Sequence, residues 1–186
     1  MLSQFTKEGD HATLGELFDF PKDVYPVGRL DADSEGLLVI TNDKRLNNRL
    51  LDPLLKHERT YLAQVEGQVN EVALARLKAG TAINVNGVKY KTMPAKAEEA
   101  IDPTLPERNP PIRFRKNIPT SWIKLVLVEG KNRQVRKMTA SVGFPTLRLV
   151  RVQIGKLIMT GMQPGDVVEY NEPNIYKLLG VSQKAK

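Results

Sequence analysis

The 186-residue chain contains no cysteine and only two histidines, His11 and His57. Without cysteine there are no disulfides, no thiol nucleophiles and no cysteine-based zinc sites. The two histidines lie far apart without a repeated ligand spacing, so we expect neither a histidine metal site nor a serine–histidine triad. Chemistry is therefore left to carboxylates, tyrosines and the many arginines and lysines.

Long apolar runs are also absent. No run approaches the roughly 20 apolar residues that a membrane-spanning helix requires. The first five residues, Met-Leu-Ser-Gln-Phe, lack the basic and apolar regions of a signal peptide. Both observations predict a cytoplasmic protein without a membrane partner.

The chain has fewer acidic than basic residues. Lysine and arginine number 28 against 21 aspartates and glutamates, which gives a net charge of +7 and a pI near 9.6. Such an excess favours a polyanionic partner, although many basic proteins carry only solvated lysines. The positions of the charges have to decide between these interpretations.

The most informative stretch is residues 28–41, Gly-Arg-Leu-Asp-Ala-Asp-Ser-Glu-Gly-Leu-Leu-Val-Ile-Thr. Three acidic residues stand between two glycines, and the apolar run 37–40 predicts a buried strand. A solvated turn with a capping side chain is one interpretation. A calcium loop is a second, but its twelfth position is Asn42, where a bidentate glutamate is needed. A catalytic carboxylate held between a strand and two flexible glycines is the third.

A second stretch, residues 129–138, reads Glu-Gly-Lys-Asn-Arg-Gln-Val-Arg-Lys-Met. It predicts the start of a helix over about 132–142 whose apolar residues share one face. Arg133 and Lys137 project to the opposite side, and Arg136 lies on the border, from which it can reach a cleft. The alternative is a solvated basic helix face.

Both stretches resemble motifs of the pseudouridine synthases that modify ribosomal RNA. The resemblance implies that Asp31 is the essential carboxylate and that Arg136 forms a charge-assisted hydrogen bond with it. It also implies that Lys131, Arg133 and Lys137 bind RNA phosphates. Arg29, next to the catalytic residue, would fill the gap left by the flipped base or bind its phosphate.

Two further site residues follow from the same resemblance. The tyrosine that packs against the target base falls on Tyr61, in the strand-like segment 59–67; alone, it would be taken for an ordinary strand tyrosine. The leucine at the floor of the family's site falls on Leu149, and an alternative register gives Leu147.

The resemblance extends from about residue 2 to residue 170. The segments 108–113, 118–122 and 138–148 look like a branch that acts on large-subunit RNA. We therefore expect residues 1–186 to form a single catalytic domain of two packed subdomains beside a cleft, without an N-terminal RNA-binding module. The resemblance also implies that the chain begins just after the family's opening strand, which contains an Asn-Lys-Pro segment.

The implied reaction is the isomerisation of a uridine in 23S ribosomal RNA to pseudouridine, with the base flipped into the cleft. It changes no oxidation state and consumes no water, so no cofactor is expected, and we expect a monomer. Two other functions remain possible from the residues themselves. One is a passive RNA-binding module, and the other is a glycosidase that pairs Asp31 with Asp33 or Glu35.

The predicted fold class is α+β, the pseudouridine synthase fold, with a mixed, mostly antiparallel sheet, flanking helices and a central cleft. An Asn86-Gly87 turn predicts a hairpin over 83–90, and the proline-rich segment 102–120 predicts a loop. Helices are predicted at 14–18, 44–51, 70–79, 132–142 and 173–179, and the remaining strands at 57–67, 121–128, 146–154 and 166–170.

Overall fold

The computed structural model describes residues 1–113 and 115–182. Within this part of the chain it contains four α-helices: Lys44–Leu51 (α1), Glu71–Lys78 (α2), Gln134–Ser141 (α3) and Glu172–Leu179 (α4). None of the helices in these ranges is long and apolar enough to cross a membrane.

The described strands form one large sheet and two small ones. Their bounds are Tyr25–Pro26 (β1), Glu35–Gly36 (β2), Ile40–Thr41 (β3), Arg59–Glu66 (β4), Ala82–Val85 (β5), Val88–Lys91 (β6), Lys96–Ala100 (β7), Thr120–Leu127 (β8), Thr146–Ile154 (β9) and Leu157–Ile158 (β10). The large sheet runs β10-β9-β4-β8-β7 with antiparallel neighbours, and β2 joins β9 in parallel. The predicted α+β class with a mixed, mostly antiparallel sheet is confirmed.

Local signals explain most element boundaries. Asp43, Asn70 and Asn171 each stand before a helix and accept backbone N–H groups with their side chains, as N-caps do. Asn86 and Gly87 both have positive φ, at 52° and 85°, which a two-residue hairpin turn requires. The predictions for α1 and β9 agree with the structure to the residue.

Two hydrophobic clusters fill the interior. The first packs α2 and α3 against the large sheet, with Leu77, Ile123 and Met138 fully buried. The second joins α1 and α4 and contains Leu37 from the 28–41 stretch. Strand β9 contributes Leu149 to the first cluster and Ile154 to the second, so it connects the two.

The prediction of one buried strand over residues 37–40 is wrong. Just before this run, β2 pairs with β9 of the large sheet. At the end of the run, β3 pairs with β1 in a small two-stranded sheet. At the crossing, Leu37 N–H donates to the carbonyl of Arg151, and Arg151 Nε donates to the carbonyl of Leu37. Backbone pairing with two different partners divides the apolar run.

Other differences follow from pairing that is not encoded locally. No strand forms at 166–170, and the sheet edge is instead extended by β10. Strand β7 was not predicted because its sequence, Lys-Ala-Glu-Glu-Ala, is rich in residues that favour helices. Within α2, Val72 is 70% exposed, whereas Ala73 is buried.

Candidate active site

The acidic stretch forms a turn that is held at both ends. Ser3 Oγ accepts the backbone N–H of Leu30 at 3.0 Å, and Asp31 O accepts the N–H of Ser34 at 2.8 Å. At the far end Gly36 has φ 105° and lies so close to the backbone of Arg151 that a Cβ would be 2.2 Å from its carbonyl oxygen. Only glycine fits there, and β9 thus fixes the end of the turn.

Asp31 differs from the other carboxylates around this turn. Its side chain is 32% exposed, and its nearest cation is Arg133, whose Nη1 lies 3.7 Å from Asp31 Oδ2. In the described part of the chain this carboxylate accepts no hydrogen bond, whereas Asp33, Glu35 and Glu66 all bind arginines. Asp31 is therefore the carboxylate that remains available to a ligand.

Asp33 and Arg133 join the turn to the start of α3. The guanidinium of Arg133 donates to both carboxylate oxygens, at 2.9 Å each. This hydrogen bonding holds the pKa of Asp33 below its usual range, against the opposing effect of burial. Arg133 has a left-handed backbone, φ 52°, and directly precedes α3.

The expected hydrogen bond between Arg136 and Asp31 is not found among the described contacts, so this prediction is wrong. Arg136 Nη2 instead donates to the backbone carbonyl of Asp33 at 2.7 Å and lies 3.4 Å from Asp33 Oδ2. Burial lowers the pKa of Arg136, and the charge of Asp33 partly restores it. The turn presents Asp33 to α3, so Arg136 supports the backbone beside Asp31.

Glu35 is occupied as well. Arg148 in β9 donates to its two oxygens, at 3.1 and 2.7 Å. A glycosidase needs a second carboxylic acid whose pKa is raised so that it can donate a proton. Asp33 and Glu35 are both bound by guanidinium groups, and the pKa of Asp33 is lowered rather than raised, which argues against Asp33 as the acid of a carboxylate-pair mechanism.

A cavity of about 660 Å³ lies beside the turn. We call it the arginine cavity; its lining consists of Asp33, Glu66, Arg108, Pro111, Ile112, Arg113, Arg115, Arg133, Arg136, Pro145, Thr146 and Leu147. Asp31 and Tyr61 are not part of this lining. The cavity therefore borders the proposed reaction centre on the Asp33 side and offers an anion five guanidinium groups.

Tyr61 and Leu149 lie on neighbouring strands. In the pairing of β4 with β9, Tyr61 is opposite Arg151 and Ala63 is opposite Leu149. Tyr61 is partly buried against the first cluster, and Leu149 is 6% exposed within it. Leu147, the alternative residue, lines the arginine cavity. Leu149 is next to Val150, which pairs with Glu35, so β9 reaches the turn and β4 lies beside β9.

The remaining predicted residues lie near the start of α3 or before the turn. Lys131 Nζ is 5.0 Å from the centre of the Tyr90 ring, and Lys137 Nζ donates to Asn132 at 3.1 Å. Arg29 is exposed, directly before Leu30 and Asp31. These cations stand at the surface around the two motifs, as a polyanion requires.

Three charged features of the site were not predicted: Arg148, Glu35 as an arginine partner, and Glu66. One signal was present. Arg148 and Arg151 interrupt the apolar pattern of β9, and a buried arginine needs hydrogen-bonding partners. The partners of these two arginines lie far away along the chain. Arg148 donates to Pro106, 42 residues away, and to Glu35, 113 residues away; Arg151 donates to Leu37, 114 residues away.

Residues 3–141 match the model of the RNA pseudouridylate synthase family, and the chain belongs to this family. Members of this class are isomerases.

The chain is also similar to individual pseudouridine synthases. The chain is 49% identical over 164 residues to ribosomal large subunit pseudouridine synthase E of Vibrio parahaemolyticus, covering 88% of this chain and 67% of that protein. It is 47% identical over 168 residues to the protein of the same name from Xanthomonas campestris, covering 89% and 87%. Among solved structures, "Crystal structure of pseudouridylate synthase" superposes with a TM-score of 0.72 at 28% identity, covering 91% of this chain and 66% of that one.

Proposed function

We propose that the protein isomerises a specific uridine of 23S ribosomal RNA to pseudouridine, with Asp31 as the catalytic carboxylate. One observation carries the assignment of Asp31. Of the carboxylates around the turn, it alone accepts no hydrogen bond within the described residues, while its backbone is held at Leu30 and Gly36. The names of the relatives support the class of RNA.

The reaction exchanges one bond to the ribose for another. The N1–C1′ bond breaks, the uracil turns, C5 bonds to C1′, and the proton on C5 is released to solvent while N1 gains one. The product has the composition of the substrate, so the chemistry requires no cofactor. Asp31 acts as nucleophile or as electrostatic partner during cleavage of the glycosidic bond.

The target base must leave the stack before it can react. Tyr61 offers a surface for the flipped base, and Leu149 forms the floor beneath it. Arg136 orients the turn through the carbonyl of Asp33. Phosphates next to the target are bound by basic residues that flank the motifs: Lys131, Arg133, Lys137 and Arg29.

The proposal also covers the domain organisation, the oligomeric state and the cellular compartment of the enzyme. Residues 1–186 act as one catalytic domain, and the protein works as a monomer in the cytoplasm on ribosomal RNA. The net charge of +7 supports binding to RNA.

Tritium release tests the function directly. Large-subunit RNA fragments labelled with tritium at C5 of uridine lose the label only when C5 becomes bonded to C1′. A passive RNA-binding protein releases no tritium, and a glycosidase releases free labelled uracil.

Asp31→Asn keeps the shape of the side chain and removes its charge. We expect RNA binding within a few-fold of wild type and no detectable tritium release, while Asp10→Asn, an exposed aspartate outside the cavity, behaves as wild type. Turnover of Asp31→Asn at a rate comparable to wild type would show that Asp31 is not the catalytic group.

A further inference from the structure

Glu35 is bound by two arginines from distant parts of the chain. Arg148 donates Nε and Nη2 to the two carboxylate oxygens, at 3.1 and 2.7 Å. Arg108 Nε lies 2.9 Å from Glu35 Oε1, although its N–H is not aligned for a hydrogen bond, so this contact is an ion pair. We call Glu35, Arg108 and Arg148 the Glu35 cluster.

The Glu35 cluster is shielded from solvent. The exposed fractions of its side chains are 11% for Arg148, 18% for Arg108 and 29% for Glu35. Exposed ion pairs are weakened by water and salt, whereas removing one partner from a shielded pair leaves a poorly solvated charge. One carboxylate here pairs with two guanidinium groups, so its loss leaves both without an acidic partner among residues 1–113 and 115–182.

The cluster holds an irregular segment in place. Residues 101–119 connect β7 to β8 and, where described, contain neither helix nor strand. Arg148 Nη2 also donates to the carbonyl of Pro106 at 2.9 Å, and Arg108 Nη1 donates to that of Pro110 at 2.6 Å. The chain is thereby fixed at both ends of 106–110, directly before the residues that form one wall of the arginine cavity.

A second contact of this segment has a different character. Glu66 accepts from Arg113 at 3.1 Å and from Arg115 at 2.7 Å. These arginines are 60% and 47% exposed. An RNA phosphate is a bidentate acceptor of the same kind and can replace Glu66 at such an exposed site. The segment thus has a shielded attachment at Glu35 and an exchangeable one at Glu66.

We infer that Glu35 is a positioning residue for RNA recognition, which rests on the proposed function. Through Arg108 and Arg148 it holds segment 106–113 as the wall of the arginine cavity before RNA arrives. The ligand of this cavity is the phosphodiester backbone of nucleotides next to the target uridine. A wall already in place spares the entropy of ordering the segment during binding.

Glu35→Gln tests this inference, because it preserves the size of the side chain and removes the charge. We expect KM for the RNA fragment to rise about tenfold and kcat to stay within about twofold, as lost binding without lost chemistry predicts. Trypsin cleavage after Arg108 and Arg113 should accelerate at least about fivefold under conditions where urea denaturation shows the variant folded. Glu98→Gln is the matched control, since Glu98 forms an exposed pair with Lys124 outside the cavity.

Arg108→Gln provides the second variant. It leaves the bidentate Glu35–Arg148 contact intact and should reproduce the change in KM and in cleavage after Arg113. Glu35→Gln combined with Arg108→Gln should equal Glu35→Gln alone, whereas Glu35→Gln with Arg115→Gln should be additive. Additive effects of Glu35→Gln and Arg108→Gln, or an unchanged KM and unchanged cleavage after Arg113, would overturn the inference.

The two proposals fail in different ways. If wild type releases no tritium, the proposed function is wrong. Cleavage of segment 106–113 and the Kd for the RNA fragment still report on Glu35 in that case. If wild type is active and Glu35→Gln matches it in KM, Kd and trypsin sensitivity, only the inference about Glu35 is lost.

Discussion

At the scale of single residues, arginine partners decide what each carboxylate of the turn can do. Glu35 and Asp33 accept two hydrogen bonds each from a guanidinium, and Asp31 accepts none within the described residues. A carboxylate that accepts from two donors of one guanidinium is fixed in direction. Asp33 and Glu35 therefore hold the turn in place through their arginine partners, and Asp31 is the acidic residue of the turn that is left to react.

The contacts of Arg136 predict an unequal effect of two substitutions. Arg136→Ala removes a shielded charged donor to the Asp33 carbonyl, so we expect it to lower the free energy of unfolding by about 1.5–3 kcal/mol. Asp33→Asn weakens a pair whose carboxylate is 43% exposed, so we expect at most about 1 kcal/mol. Urea denaturation of both variants measures this.

A double-mutant cycle adds a sharper comparison. Because Arg136 makes no described hydrogen bond to Asp31, their alanine variants should couple by less than about 0.5 kcal/mol, and Arg136 with Asp33 by more. A strong coupling to Asp31 would show that Arg136 contacts it in solution.

At the scale of elements, one hydrogen bond connects α4 to the start of α1. Tyr176, which is 3% exposed, donates its hydroxyl to Oδ2 of Asp43, the N-cap of α1. Burial, helped by the Asp43 carboxylate, raises the pKa of Tyr176 to about 12. The two helices of the second cluster are thus joined by a polar contact as well as by apolar packing.

This contact predicts a pH dependence of stability. The folded pKa of Tyr176 is above the ordinary value of about 10, so its contribution is complete below pH 10 and is lost as the pH rises towards about 12. Tyr176→Phe should lower the free energy of unfolding by about 1.5–3 kcal/mol at pH 8 and flatten the decline between pH 10 and 12. Urea denaturation across this range measures both effects.

Tyr170→Phe serves as the control, since Tyr170 is 40% exposed. An equal decline for wild type and Tyr176→Phe between pH 10 and 12 would refute the assignment to this hydroxyl.

The elements also show how far sequence reasoning reaches. Helix α1 and strand β9 were predicted to the residue because caps, periodicity and flanking turns are local signals. Strand β7 and the division of the 37–40 run depend on which strand lies alongside, which no local pattern records. The same holds for the site. Asp31 was predicted because it stands in a contiguous motif, whereas the pairing of Asp33 with Arg133, 100 residues away, has no local signal.

At the scale of the whole molecule, the excess of positive charge is unevenly available to RNA. The protein carries a net charge of +7. Yet the arginines of the cavity are largely engaged: Arg133 by Asp33, Arg113 and Arg115 by Glu66, and Arg108 by Glu35. A phosphate that binds one of these must displace a carboxylate, whereas a lysine without an acidic partner releases only water and counterions.

This difference predicts the salt dependence of RNA binding. Lys137 contacts only the neutral Asn132 among its described partners, so Lys137→Ala should reduce the slope of log affinity against log salt by about 0.7–0.9. Arg133→Ala should change it less, because phosphate binding there replaces the bond to Asp33. Lys156 is the control: it lies in the turn beyond the far end of β9, a strand that spans about 26 Å from Thr146 to Ile154. Fluorescence titrations of an RNA fragment at several salt concentrations measure the slopes. An unchanged slope for Lys137→Ala, or an equal reduction for Lys156→Ala, would show that the start of α3 does not bind phosphate.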